Sequence, residues 1–153
     1  MEIRPAKPAE RKKIEALMQA AFGPFEHRYT KLAYANTVVG PQEILRRMTE
    51  GVTWVAVEGE EVVGTVSVAF EDDWLYVTGM AVAPAAQGKK IGYRMLEVME
   101  KYALENGHRN IYLLTTKFLH RAQALYRGFG FRQIENFDLN WHGVYPLRFE
   151  KIL

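Results

Sequence analysis

The residues of this chain best suited to chemistry lie in the run Gln87-Gly88-Lys89-Lys90-Ile91-Gly92, just ahead of a long amphipathic segment. If a helix begins there, its first N–H groups lack intrahelical acceptors and stand at the positive end of the helix dipole, where an anion is stabilised. Gly88 and Gly92 would let the backbone approach a ligand closely, and Lys89 and Lys90 add positive charge. The same residues also read as an ordinary strand–helix connection whose glycines serve packing, because short glycine patterns recur widely. Two better-defined phosphate signatures do not fit. No Gly-Lys-Ser/Thr follows, which excludes a P-loop, and the G-x-G-x-x-G of dinucleotide binders is absent.

Two elements must position this run. Before it, Trp74 to Val82 (WLYVTGMAV) is apolar at positions of both parities, as in a strand covered on both faces. After it, Gly92, Met95, Leu96, Met99, Tyr102 and Ala103 mark one helical face and Arg94, Glu97, Lys101 and Glu105 the other. Glu97 and Lys101 have the spacing of a favourable i,i+4 pair, and Asn106-Gly107 supplies a left-handed stop. Upstream, Glu2-Ile3-Arg4 reads as a short strand and residues 9–22 as a helix with Ile14, Leu17, Met18 and Ala21 inward. Residues 24–41 mix aromatic and polar side chains without one clean period. A helix follows from Gln42 to about Glu50 with Ile44, Leu45 and Met48 inward, then a hairpin around Glu58-Gly59-Glu60 and a turn at Glu71-Asp72-Asp73. Downstream come a strand at 111–116, a short helix carrying Arg121 to Tyr126, and strands near 132–140 and 144–151. No repeat or linker interrupts this α/β order, so residues 1–153 read as a single domain.

Composition narrows the function. Hydrophobic residues make up 48% and charged residues 25%, values of a soluble globular chain. Net charge is 20 − 18 = +2, with the basic residues scattered, so no nucleic-acid footprint is expected. The absence of cysteine excludes disulfides, thiolate metal ligands and a cysteine nucleophile, and four dispersed histidines lack the paired spacing of a metal site. With no apolar leader and no run of membrane-spanning length, the expectation is a cytoplasmic protein with no membrane partner.

Two stretches together carry a family resemblance. AVAPAAQGKKIGYRML is similar to the Arg/Gln-x-x-Gly-x-Gly/Ala cofactor motif of the acyl-CoA-dependent N-acetyltransferases of the GNAT superfamily, with Gln87 and Gly92 matching its ends. ALYRGFGF, Ala124 to Phe131, is similar to the Leu-Tyr-x-x-x-Gly-Phe that follows the family's fifth strand. The resemblance covers essentially the whole chain. It implies an α/β (α+β) domain: a mixed, mostly antiparallel six- to seven-stranded sheet, splayed between strands 4 and 5 and flanked by about four helices. It further implies acetyl-CoA as co-substrate and no metal. By correspondence Met80, Ala81 and Val82 would line the pantetheine arm, with the Met80 N–H on the thioester carbonyl. The diphosphate would rest on amides from Gln87 through Gly88, Lys89, Lys90, Ile91 and Gly92 to Tyr93. Two residues depart from the family pattern. Lys90 replaces the motif's first glycine, and the reading favoured here is that this position needs only a helical amide, not a positive φ. Leu119 stands where many relatives carry an asparagine that touches the cofactor.

The implied reaction is attack of a neutral amine on a thioester, which requires orientation, stabilisation of the developing oxyanion, and proton transfers. The Met80 N–H would serve the oxyanion, particularly if the strand bulges near Gly79. The resemblance assigns Tyr126 as general acid to the departing thiolate, since a phenol stays protonated at neutral pH; without it, Tyr126 reads as a packing tyrosine. The base is unassigned among Tyr76, Glu71, Asp72, Asp73, Glu26, His27 and His120, while His108 and His142 read as surface or turn residues. Aromatics Phe22, Phe25, Tyr29 and Tyr34 on one side and Phe137, Trp141 and Tyr145 on the other would wall the acceptor, or form core or a dimer contact. The acceptor class, a small-molecule amine or a protein N-terminus, stays open, as does homodimerisation. The alternative function is a non-catalytic acyl-CoA-binding regulatory module on the same scaffold.

Overall fold

The computed structural model describes residues 1–153. Seven strands and five α-helices follow in the order β1 (Glu2–Pro5), α1 (Arg11–Phe22), α2 (Lys31–Thr37), α3 (Pro41–Glu50), β2 (Val52–Glu58), β3 (Glu61–Glu71), β4 (Trp74–Val82), α4 (Ile91–Glu105), β5 (Asn110–Thr115), α5 (His120–Phe129), β6 (Arg132–Gln133) and β7 (Leu147–Ile152). They build one sheet in the order β1-β2-β3-β4-β5-β7-β6, antiparallel throughout except for the parallel pair β4–β5. This is a single α/β domain of the expected class.

Alternation along β2 divides the core. Trp54 and Ala56 join the cluster under α4 with Ile91, Met95, Leu96, Met99 and Ala103, whereas Val55 joins Ile14, Leu17, Met18 and Ile44 of α1 and α3 on the opposite face. Burying these side chains on two faces of one sheet fixes its register, since a one-residue slip would exchange the faces. Gly64 marks the tightest approach of α4 to the sheet: a Cβ there would stand 2.9 Å from Met95 Cε.

Several sequence expectations are corrected. β4 is not dry on both faces; Leu75, Val77 and Ala81 are buried, but Tyr76, Thr78, Met80 and Val82 are only partly so, because the sheet opens beside them. Residues 24–41, without a clean period, contain α2, whose start is capped by Thr30: its Oγ1 accepts from the Ala33 N–H at 3.0 Å. Leu45 points outward at 36% exposure, while Arg47 takes the inner face beside Ile44 and Met48. Lys101 lies 3.9 Å from Glu105 in place of the expected pairing with Glu97. The strand expected near 132–140 is only the two residues of β6, and the final strand begins at Leu147. The intervening loop is instead closed by a Trp141–Val144 bridge and by Thr30 Oγ1 donating to the His142 carbonyl at 2.6 Å, which ties the loop to the start of α2.

Candidate active site

The site follows from a fault in β4. The register with β3 slips between Thr65 and Ser67, so Gly79 and Met80 together face Val66, and Gly79 takes φ +61°. Such a bulge moves every later side chain to the other face of the sheet. Before it, Leu75 and Val77 face α4; after it, Ala81 joins the α1–α3 cluster and Met80 and Val82 pack towards α4. The backbone is re-aimed as well. Ala83 N–H donates to the Val63 carbonyl at 2.8 Å, and Ala81 lies opposite Thr65. In an antiparallel ladder alternate residues bond, so Ala81 turns its polar groups to β3 while Met80 and Val82 turn theirs to the other edge. On that edge the parallel ladder to β5 stops at Val77–Leu113. The expected splay and bulge are therefore both present, and Met80 and Val82 line the resulting gap.

Below the gap lies the mouth of α4. The N–H groups of Gly88, Lys89, Lys90, Ile91, Gly92 and Tyr93 donate to no acceptor in the protein, and the first helical bond runs from Arg94 N–H to the Lys90 carbonyl at 3.1 Å. Gln87, expected to join them, lines the groove, but its N–H donates internally to the Pro84 carbonyl at 3.3 Å. Lys90 corrects the sequence reading directly. It is left-handed at φ 60°, so the position does ask for the conformation glycine adopts freely. With Gly88 at φ +88°, two left-handed residues bracket Lys89 in this turn. Lys89, Lys90 and Arg94 surround it. Six unpaired donors stand beside Lys90 and Arg94, with Lys89 3.6 Å from Glu58, a donor-rich, cationic mouth of the kind a diphosphate requires.

An open groove of about 1240 Å³ runs from this mouth past Val82 and Met80 to Tyr126, with Phe118, Leu119, His120 and Leu125 on its far wall. A smaller cavity of about 130 Å³ lies beyond, among Tyr29, Asn36, Thr37, Arg47, Tyr76, Thr78, Thr115, Thr116 and Trp141. Phe22, Met80, Leu119, Ala122 and Tyr126 border both, so the two spaces meet there. Gly92 lets α4 pack closely against the groove wall: a Cβ would stand 2.8 Å from Leu125 Cδ2 and 3.3 Å from Met80 Cε.

Tyr126 is placed at this junction by α5, whose first turn is anchored by Gln123. The Gln123 Nε2 donates to the Thr116 and Lys117 carbonyls at 2.9 and 3.0 Å, locking the helix to the end of β5. Tyr126 is 7% exposed, and burial, reinforced by the neighbouring Tyr29 and Tyr76, drives its pKa well above the ordinary phenol value. Burial likewise raises Tyr29 to about 12, although the Thr116 and Thr37 hydroxyls hold it down in part. Leu119, at the N-cap of α5, offers no side-chain cap and presents only hydrocarbon to the junction.

The other candidates scatter. Glu26 and His27 are exposed and outside both walls; Asp72 and Asp73 sit on the exposed β3–β4 turn; Glu71 accepts from the Tyr112 hydroxyl at 2.7 Å. His108 stacks on Phe70, and His142 lies on the loop beside Trp141. Of the aromatics, Phe22, Tyr29 and Trp141 wall the small cavity and Phe25 the groove; Tyr34 packs edge-on to Tyr29; Phe137 and Tyr145 line neither. No group of three or more His, Asp or Glu side chains converges anywhere, and no helix is long and apolar enough to cross a membrane. The residue that sequence reasoning missed is Arg47. Its Nε donates to Glu43 Oε2 at 3.2 Å, but its Nη1 is buried without a partner. The i, i+3, i+4 spacing of Ile44, Arg47 and Met48 was the available signal.

The model of the acetyltransferase (GNAT) family matches residues 13–131. The uncharacterized N-acetyltransferase YjgM of Escherichia coli K12 is 35% identical over 86 residues, which is 54% of this chain. That match spans about half, 52%, of the relative's length. Among solved structures, a GNAT-family acetyltransferase of Staphylococcus aureus Mu50 superposes with a TM-score of 0.82 at 19% identity, covering 99% of this chain and 98% of the other. The PaiA N-acetyltransferase of Thermoplasma acidophilum, in complex with coenzyme A, gives 0.85 at 14% identity with 99% and 98% coverage. At these identities the two structures speak for the fold alone.

Proposed function

Because this chain belongs to the GNAT acetyltransferase family, we propose that it transfers an acetyl group from acetyl-CoA to a primary amine by direct attack. The observation that carries this reading is the continuity of the two spaces: six unpaired amides at one end of a groove whose other end opens, beside Met80 and Tyr126, on a second cavity. When bound, acetyl-CoA supplies the activated acetyl thioester. Gly88 to Tyr93 N–H groups would hold its diphosphate with Lys89, Lys90 and Arg94, and the exposed edge at Val82 would pair with the pantetheine amides. The Met80 N–H, set outward by the bulge, donates to the thioester oxygen as charge grows there. Tyr126 donates a proton to the departing sulfur, and its raised pKa keeps that proton in place. No carboxylate or histidine lines the small cavity, so the amine proton leaves through water past hydroxyls such as Tyr76 and Tyr29.

Calorimetry with CoA, followed by a thiol-release assay across a broad amine panel, tests the proposal. Acetylation of at least one amine class is expected. CoA binding with silence across the panel would instead establish a non-catalytic acyl-CoA-binding module, and no CoA binding would remove both.

A further inference from the structure

The small cavity is electrostatically one-sided. Arg47 is its only charged lining residue, and no Asp or Glu borders it. The guanidinium sits with its Nη1 buried and without a partner. Glu43 does not complete it, because that carboxylate spends both oxygens on Arg46 at 2.6 Å and reaches Arg47 only through Nε at 3.2 Å. A buried donor without an acceptor is costly and is rare in folded proteins unless something else satisfies it. The position is built for the guanidinium: a Cβ on Gly79 would stand 2.8 Å from Arg47 Nη1, so the glycine of the bulge leaves its space to the arginine.

We infer that the acceptor is a small amine bearing a carboxylate close to its nitrogen, with Arg47 holding the carboxylate over Gly79 while the amine faces the acetyl group beside Met80. This rests on the acetyl-transfer reading above and names its substrate class. Three observations fix the class. A polyamine or aminoglycoside carries several ammonium groups and would meet a cation with no compensating anion in the walls. The cavity of about 130 Å³ has room for about four waters, enough for an amine and a short carbon chain. Arg47 and Met80 flank the same bulge, so carboxylate and amine must be only a few bonds apart.

The test compares matched acceptors on the full chain with acetyl-CoA: short amino acids from glycine to 4-aminobutyrate, their primary amides, and diamines of equal length. Rates are referred to the neutral amine at each pH. The amino acids are expected to exceed both analogues by about 10- to 100-fold in kcat/KM, the range of a charge-assisted pair. Arg47→Gln should bring the three within about threefold of one another, and Arg47→Lys should restore part of the preference. Diamines or amides equal to or better than the amino acids would overturn the inference while leaving acetyl transfer intact. Silence of all three classes with CoA bound would overturn it too, and absence of CoA binding would remove the underlying reading. Should Arg47→Gln fail to fold, the selectivity of the unaltered protein still decides.

Discussion

Lys90 offers the sharpest test of the phosphate-binding turn, because conformation and charge can be separated there. Its left-handed backbone at φ 60° costs an L-residue roughly 1–2 kcal/mol. Glycine removes that cost but loses about 0.5–1 kcal/mol more chain entropy on folding. Lys90→Gly should therefore stabilise the protein by about 0.5–1 kcal/mol, whereas Lys90→Ala keeps the strain and removes only the charge. For a domain of this size that corresponds to a rise of about 2 °C in Tm for the glycine variant. Lys90 is exposed, so its charge beside a diphosphate is worth less than about 1 kcal/mol, at most a fivefold loss in CoA affinity. Both variants should lose affinity alike while only one gains stability. Paired thermal melts and CoA titrations measure this. A glycine variant no more stable than the alanine one would show that Lys90 is not left-handed, and the proposed convergence of amides would fall with it.

Tyr126→Phe should lower kcat about 100-fold with CoA affinity retained, and the unaltered enzyme should show no loss of kcat from this group below about pH 10. The sign follows from the raised pKa, which extends the protonated, donating form to higher pH. Gly92→Ala should cost about 1 kcal/mol of stability and raise KM for acetyl-CoA, because Leu125 and Met80 must both shift at the junction. Near the amino terminus, Glu10 accepts from Arg4 at 2.9 and 2.7 Å and from the Lys7 N–H at 2.7 Å, which lowers its pKa to about 2. Its depressed pKa means stability present above about pH 4.5 and lost as pH falls towards 2. Glu10→Gln should be about 1 kcal/mol less stable at pH 7, with the difference vanishing in acid melts.

What the sequence made legible was what local spacing controls. The bounds of β4, the hydrophobic face of α4, the hairpin at Gly59 and the run of glycines and lysines before Ile91 all follow from residues a few positions apart. What it hid depends on partners far along the chain. Thr30 caps α2 locally, but the loop it organises is held by His142, 112 residues away. Lys90 misled because the sequence shows a side chain and not a φ, and a lysine in a glycine's place invites the assumption that the demand has gone. β4 misled because burial by helices and opening towards a ligand both select apolar residues, and only the end of the β5 ladder tells them apart.

The bulge at Gly79 joins these levels. One additional residue moves Met80 and Val82 to the groove, sends Ala81 into the opposite core, and leaves at Gly79 a space that Arg47 fills. Straightening the bulge without deleting a residue would return Met80 to the α1–α3 side and place later side chains on the wrong faces. Activity and stability would then be lost together. A point change that merely fills the space at Gly79 acts differently: it displaces Arg47 and strains φ, yet keeps the register that buries Ala81. The acceptor end and the thioester end are thus set by one backbone irregularity, and their geometry cannot be altered independently.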